Sequence, residues 1–452
     1  MSIFGGSITP DARQGGLTIG LFETFRQAWA DPDLKKRILF IVAMFGVFVL
    51  GVNIPCPISG INQSIMDNIV KNNPFFQLAN VLGGGALRRL SIFALGLNPY
   101  ITASIIMQIL TTALPAWKKE QEEGGEYARQ TNNKRTRFLS LFLCILQGMG
   151  FYQQMSQAIP TGTWVTEATT ILFWTAGAMF MVWLGEQISE KGIGNGVSLM
   201  IFAGIVLSIP YQFSSIQDQV HVGAISLWAA IALGLIFLGT TWVIVLFTTA
   251  QRRIPMQHMR RQMGTRAMGG NTSYLPIPVN TAGVIPIIFA VSLLFIPIQF
   301  ATFFEHSNKA IYNALLTIGT WMNPGGPWPY GFVGAIVYAI LIFFFTYFYT
   351  AIQYNVEDIA NNLKKSGSFI PGVRPGKQTK DFLDGILSRV TVAGAGFLTV
   401  IALVQYVGPA ALGLPRTNLN IIGGTSLLIM VQVAIETMRQ VEANLIMRQY
   451  GT

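Results

Sequence analysis

The sequence predicts an all-α polytopic membrane protein with ten transmembrane helices. Three observations predict it. Only 11% of the 452 residues are charged while 51% are hydrophobic. Ten long apolar runs recur along the chain, and the basic residues cluster in alternate segments between them. A soluble globular protein carries about 25% charged residues. So few charges cannot cover a water-facing surface, but they suit one that faces lipid.

A spanning helix needs ~20 mostly apolar residues to cross a hydrocarbon core of ~30 Å. The candidate spans are 38–52, 97–115, 138–157, 168–184, 194–211, 222–250, 281–304, 330–351, 390–407 and 423–441. They hold no Asp, Glu, Lys or Arg until the last, where Glu436 and Arg439 lie near its exit. The first is short and extends through Asn53 to Cys56. The sixth is long enough to tilt or protrude. The tenth is short and ends in an amphipathic stretch. Cys56 and Cys144 fall at different helical depths and read as apolar fillers, with neither disulfide nor metal-ligand spacing. Residues 1–37 form a polar, mixed arm without the pattern of a cleavable leader.

With the N-terminus placed in the cytoplasm, 25 of the 30 Lys and Arg residues fall on the cytoplasmic side. This strong positive-inside bias also supports the span count, because one missed helix would scramble the alternation. Both termini are then cytoplasmic. Two cytoplasmic loops exceed what orientation requires. Loop 251–280 carries Arg252, Arg253, Arg260, Arg261 and Arg266 and no acidic residue. Loop 352–389 carries KKSGSFIPGVRPGK, with Lys364, Lys365, Arg374 and Lys377. Composition leaves two readings open: a topology signal attracted to anionic lipid, or a docking surface for an acidic protein or RNA phosphates. The Gly-Pro spacing at 371–376 favours docking, since it holds Arg374 between two turns.

No constellation of enzymatic type is visible, and no cofactor is expected. His221, His258 and His306 are isolated in loops. Gly372-Val-Arg-Pro-Gly376-Lys377 resembles a phosphate loop at a glance. It has one residue too few between the glycines, Gln378 where Ser or Thr should bind magnesium, and no strand expected before it. Charge-free spans weigh against an ion-coupled transporter, which places titratable groups at mid-membrane. Backbone carbonyls can coordinate sodium unaided, so an inverted-repeat transporter of a small solute remains the alternative.

Residues 53–96 leave the first span on the outer side. Pro55 and Pro57 keep NIPCPISGINQ extended. Gly83, Gly84 and Gly85 then break a helical pattern that 86–95 resumes, with Arg88 and Arg89 among apolar neighbours. The stretch is too interrupted to span. It fits a re-entrant or capping half-helix lining an enclosed cavity, or an ordinary outer loop helix.

Six ordered strings identify a resemblance: GGGALRRLSIFALGLNPYITASIIMQIL, GEQISEKGIGNGVSLMIFAGI at 185–205, QRRIPMQHMRRQMG at 251–264, LPIPVNTAGVIPIIFA at 275–290, DIANNLKKSGSFIPGVRPGKQT at 358–379 and GGTSLLIM at 423–430. Over some 350 residues they resemble the SecY family, channel subunits of the bacterial protein-conducting translocon. The resemblance implies two pseudo-symmetric inverted five-helix halves around an hourglass pore, 38–212 and 222–452, joined by an outer hinge loop at 213–221. It implies a pore ring of Leu97, Ile101, Val197, Ile201, Ile288 and Ile429, where aliphatic side chains exclude ions by dewetting. It implies a plug at 77–92 and a lateral gate between spans two–three and seven–eight, with Gln147 and Asn280 as polar positions of the seam.

The resemblance also gives the basic loops a partner. Arg252, Arg253, Lys364, Lys365, Arg374 and Lys377 would dock a SecA-type ATPase motor or a ribosome. The other expected partners are SecE-like and SecG-like small membrane subunits, precursor or nascent polypeptides with their signal sequences, and anionic lipids. The implied location is a bacterial plasma membrane. Departures from the family pattern include Asn98 beside the ring, Leu97 and Val197 in place of Ile, and the doubled arginine at 88–89.

Overall fold

An apolar run in lipid can satisfy its backbone only by internal hydrogen bonding, so each such run is expected to be a helix. The computed structural model describes residues 21–58, 63–72, 74–155, 163–223, 225–258, 262–263, 266–267, 272–301, 304, 308–326, 329–411 and 423–451. Its helices in chain order are α1 (Leu21–Ala30), α2 (Pro32–Asn53), α3 (Gln63–Asn72), α4 (Pro74–Leu82), α5 (Asn98–Ala113) and α6 (Pro115–Glu123). Then come α7 (Gly125–Met155), α8 (Trp164–Lys191), α9 (Gly196–His221), α10 (Leu227–Thr249), α11 (Ile285–Ala301) and α12 (Lys309–Met322). The series ends with α13 (Tyr330–Gln353), α14 (Val356–Lys365), α15 (Lys377–Ala411) and α16 (Gly424–Gly451).

Each expected span coincides with one of these helices: α2, α5, α7 to α11, α13, α15 and α16. The chain is an all-α polytopic membrane protein. Six of the ten helices, α2, α8, α9, α10, α13 and α15, are long and apolar enough to cross a bilayer unaided. The other four depart from that ideal for identifiable reasons. α5 turns by 101° into the polar α6 at Pro115. α11 has only 17 residues. The apolar part of α7 is interrupted by Ser140 and Gln147, and α16 carries Glu436, Arg439 and Glu442.

Helix ends differ from the apolar ends. α2 starts at Pro32, where Asp31 caps it by accepting from the amides of Asp33 (2.9 Å) and Leu34 (3.4 Å), so Lys35 to Arg37 lie in its first turns. A side-chain cap contributes ~1 kcal/mol. Residues 213–221, expected as the hinge loop, continue α9 as helix to His221. After Pro210, QFSSIQDQV holds no Gly or Pro to stop it, so the turn falls at Val222 and Gly223.

Where the basic segments are described, they hold strands and helix rather than loop alone. β1 (Gln251–His258) pairs antiparallel with β4 (Thr272–Pro278), and β5 (Ser368–Phe369) adds to the other edge of β1. The short β2 (Gln262–Met263) and β3 (Arg266–Ala267) pair with each other. Buried Ile254 and Met256 alternate with exposed Arg253, Pro255 and Gln257, the period of two of a half-buried strand. Beneath the sheet, Ile254, Ile277, Val356, Ile370, Leu383 and Leu387 form their own apolar cluster.

This sheet marks one end of the bundle. Arg439 of α16 donates to the Thr248 carbonyl at the end of α10, next to β1. α1 packs on α16, and α2 starts beside it. α2 therefore runs away from the sheet, and the described residues between 54 and 97 lie at the opposite end.

Two backbone approaches set the packing there. A Cβ on Gly177 of α8 would lie 1.9 Å from the Ile92 carbonyl oxygen, and one on Gly204 of α9 would lie 2.1 Å from that of Leu82. Gly177→Ala is therefore expected to destabilise the protein by about 1–3 kcal/mol. Gly239→Ala, with nothing within 4 Å of its Cβ, should be neutral or raise stability by up to about 1 kcal/mol. Thermal midpoints of the purified variants in detergent check the opposite signs; equal midpoints would remove the close approach as their cause.

Candidate pore, plug and docking surface

Leu97 and Ile101 are one helical turn apart at the start of α5, with the Ile101 amide donating to the Leu97 carbonyl at 2.9 Å. Val197 and Ile201 have the same spacing on α9. Residues four apart share a helix face. Ile288 of α11 and Ile429 of α16 complete the set. All six belong to one hydrophobic cluster: Leu97, Ile201 and Ile429 are buried in it, and Ile101, Val197 and Ile288 are partly buried against it. Residues of four helices thus fall in the same apolar cluster. Asn98 beside them is partly exposed, and its carbonyl accepts from the Thr102 hydroxyl at 3.0 Å.

The segment 77–92 sits against that cluster. Ala86 is buried in it, and Val81, Leu82 and Ile92 pack on it. The expected renewal of helix over 86–95 does not occur. α4 ends at Leu82 and tight turns follow. Gly84 and Gly85 adopt φ of +67° and +86°, and Leu90 has φ +46°. The turn lets the backbone pair elsewhere: the Cys56 amide donates to the Leu90 carbonyl (2.9 Å), and the Ile92 amide to that of Ile54 (3.1 Å).

The two arginines of this segment have partners that the charge pattern alone did not single out. Arg88 forms a two-pronged pair with Asp67 of α3, its second prong at 2.8 Å, and its guanidinium lies 4.2 Å from the ring centroid of Tyr211 on α9. Its amide donates to Asn80 Oδ1 at 3.0 Å. Arg89, exposed, donates to Asn53 Oδ1 at the end of α2. Asp67 is the only acidic residue between 53 and 96, which was a usable signal.

The expected gate residues lie near one seam but do not bond to each other. Gln147 is buried in α7, and its Oε1 has no partner among the described residues. Asn280, just before α11, is buried and turns to α16, its Nδ2 donating to Gln432 Oε1 at a long 3.5 Å. Thr281 and Thr350 join their hydroxyls at 3.0 Å, tying the start of α11 to α13. α11 packs on both α5 and α7. One apolar cluster runs across this junction, from Ile105, Cys144 and Phe151 to Ile287, Phe289 and Val291.

The residues expected to dock a partner gather at the sheet end. Arg252, Arg253, Lys364, Lys365, Arg374 and Lys377 are all exposed. Pairing of Gln257 with Phe369 and of His258 with Ser368 joins the two basic segments into one platform. Arg260 and Arg261 lie outside the described residues. Asn355 caps α14, and Glu357 and Asp358 in its first turn with Lys364 and Lys365 in its last complement the helix dipole. Glu357 pairs with Lys380 of α15 at 2.7 Å, which holds the carboxyl below its usual range and raises the ammonium. Arg374 sits between Gly372 (φ +83°) and Gly376 (φ +106°). The Thr379 hydroxyl donates to the Arg374 carbonyl at 2.9 Å and fixes that loop. A two-residue strand, β5, does precede this loop, contrary to expectation, because Ser368 and Phe369 find a free edge on β1. The glycine spacing and Gln378 still fail the phosphate-loop pattern.

The SecY family profile matches residues 91–438. Among curated relatives, the protein translocase subunit SecY of Staphylococcus carnosus is 37% identical over 442 residues, covering 95% of this chain and 99% of that one. The SecY of Aquifex aeolicus is 39% identical, covering 92% and 96%. Among solved structures, one described as a protein-conducting channel matches with a TM-score of 0.65 at 18% identity, covering 89% and 90%. Another, on the SecY plug domain that stabilises the closed channel and maintains a membrane seal, matches at 0.64, 17% identity and the same coverage. A third, the channel of the canine ribosome–channel complex from the endoplasmic reticulum, matches at 0.62 and 16%, again covering 89% and 90%. With a family match over most of its length and relatives above 30% identity, the chain belongs to the SecY family.

Proposed function

We propose that this chain is the central pore-forming subunit of a protein translocase. It is a passive channel that exports unfolded secretory polypeptides and releases apolar segments sideways into the membrane. The observation that carries this reading is the meeting of six aliphatic residues from four helices in one cluster, with the segment 77–92 packed on it. Aliphatic side chains have no fixed hydrogen bonds, so they can close on themselves or fit loosely around a passing chain. Apolar segments leave through the seam of α5 and α7 with α11, because ~20 Leu-like residues at about −0.5 kcal/mol each favour lipid.

In this reading the sheet end is cytoplasmic, in keeping with the positive-inside bias, and the membrane is a bacterial plasma membrane. The halves 38–212 and 222–452 move against each other at the turn after α9. The platform of Arg252, Arg253, Lys364, Lys365, Arg374 and Lys377 receives a SecA-type motor or a ribosome, which supplies the work. SecE-like and SecG-like subunits clamp the bundle, and anionic lipid neutralises the remaining basic rim.

Reconstitution tests this. Vesicles holding the chain with its small subunits should protect a secretory precursor from protease only when motor and ATP are supplied. Saturable uptake of a small solute by the chain alone, without precursor protection, would instead establish a transporter.

A further inference from the structure

We propose that Asp67 and Tyr211 are positioning residues that hold the plug over the aliphatic ring by gripping Arg88 from two sides. The proposal rests on reading 77–92 as the plug.

The segment enters and leaves on different footings. Its C-terminal end is fixed by backbone pairing of 90–92 with 54–56. Its N-terminal helix α4 packs on α9, where the Leu82 carbonyl closely approaches Gly204. Between them, Arg88 ties the segment to the body by an ion pair, and Arg89 adds a hydrogen bond to Asn53. The Arg88 guanidinium edge takes both oxygens of Asp67, and its central carbon lies over the Tyr211 ring, 4.2 Å from the centroid. These are two separable uses of one planar cation: fork to carboxylate along the edge, and attraction to the ring quadrupole over the face.

The grips belong to different parts of the bundle. Tyr211 is on α9, which also carries Val197 and Ile201 of the ring. Met66 and Val70 of α3 are buried in one cluster with Phe151 and Met155 of α7, and α3 also packs on α4. Moving the plug out of the funnel therefore separates Arg88 from at least one fixed partner. Arg88 also turns its amide to Asn80 of α4, so the side-chain grip is transmitted to the plug helix. The pair is partly shielded, with side-chain exposures of 27% and 21%. That leaves it weaker than a buried pair and breakable by a passing polypeptide.

The test measures resting conductance in planar bilayers, using the full chain with its small subunits and no precursor. Asp67→Asn and Tyr211→Leu are each expected to raise time-averaged resting conductance about tenfold. Asp67→Arg should raise it further, by placing like charges together. The exchanged pair Asp67→Arg with Arg88→Asp should leak less than either single reversal, an outcome that general destabilisation cannot produce. If the exchanged pair leaks as much as the single reversals, the pairing does not hold the segment. If the Asp67 variants stay quiet while removal of 77–92 leaks, the latch is wrong and the plug reading stands. If removal of 77–92 is itself silent, the plug reading falls and the latch with it.

Discussion

Arg374→Glu is expected to reduce motor-driven precursor export by about a hundredfold while leaving the bundle folded. The side chain is exposed, so its reversal disturbs no packing. What is lost is a charge-assisted contact to an acidic partner, about 1.5–3 kcal/mol. Repulsion across the same interface adds to that loss. The Arg374 loop is held on both sides. Two glycines with positive φ shape its loop, and the Thr379 hydroxyl ties its carbonyl to the start of α15. A rigid loop has little entropy left to lose on docking. Arg374→Lys keeps the charge but loses the planar fork, and it should fall between parent and Glu variant. The measurement is precursor translocation into vesicles with saturating motor, alongside motor affinity for the empty vesicles. Export at the parental rate in the Glu variant would sink the docking role.

The spans were legible because lipid imposes a crude rule: enough apolar residues, no charge. That rule places α2, α8, α9 and α10 within a few residues at one end, yet it misses where helices stop, because stops are set by capping and backbone geometry. Asp31 starts α2 six residues before the apolar run, and α9 runs on through 213–221 because nothing there prevents it. The charged ends of α7 and α15 are likewise helical, since a helix need not end where lipid does.

The site divided the same way. The ring residues carry no local signal; each reads as ordinary packing, and only the ordered strings shared with a family pointed to them. The structure adds what no string contains, that four separated helices bring them into one cluster. The sheet beneath the exposed basic platform was hidden for a different reason. β5 is two residues long and exists only because β1 offers it an edge 110 residues away in sequence, His258 to Ser368 at its start. Non-local pairing of that kind leaves almost no trace in a short window. Asp67 could have been found by counting charge between 53 and 96, but its aim at Arg88 needed coordinates.

Replacing Ile101, Val197 and Ile288 together by Ser is expected to raise ion conductance during plug displacement by about two orders of magnitude. These three ring members are only partly buried, so the triple variant removes less packing than one built on Leu97, Ile201 and Ile429. Excluding an ion depends on the neck staying dry, because an unsolvated charge in an apolar medium costs tens of kcal/mol in the Born limit. Hydroxyls let water wet the neck. Lowering the ion's barrier by only about 3 kcal/mol gives the expected factor. Two seals in series make the result conditional. With the plug seated, the narrower seal limits the current, and the ring variant alone should leak little at rest. Combined with Asp67→Asn it should leak far more than the sum of the two separate changes. That excess distinguishes a ring at the neck from residues that merely pack nearby. A triple Ser variant that stays tight in the Asp67→Asn background would place the seal elsewhere along the pore.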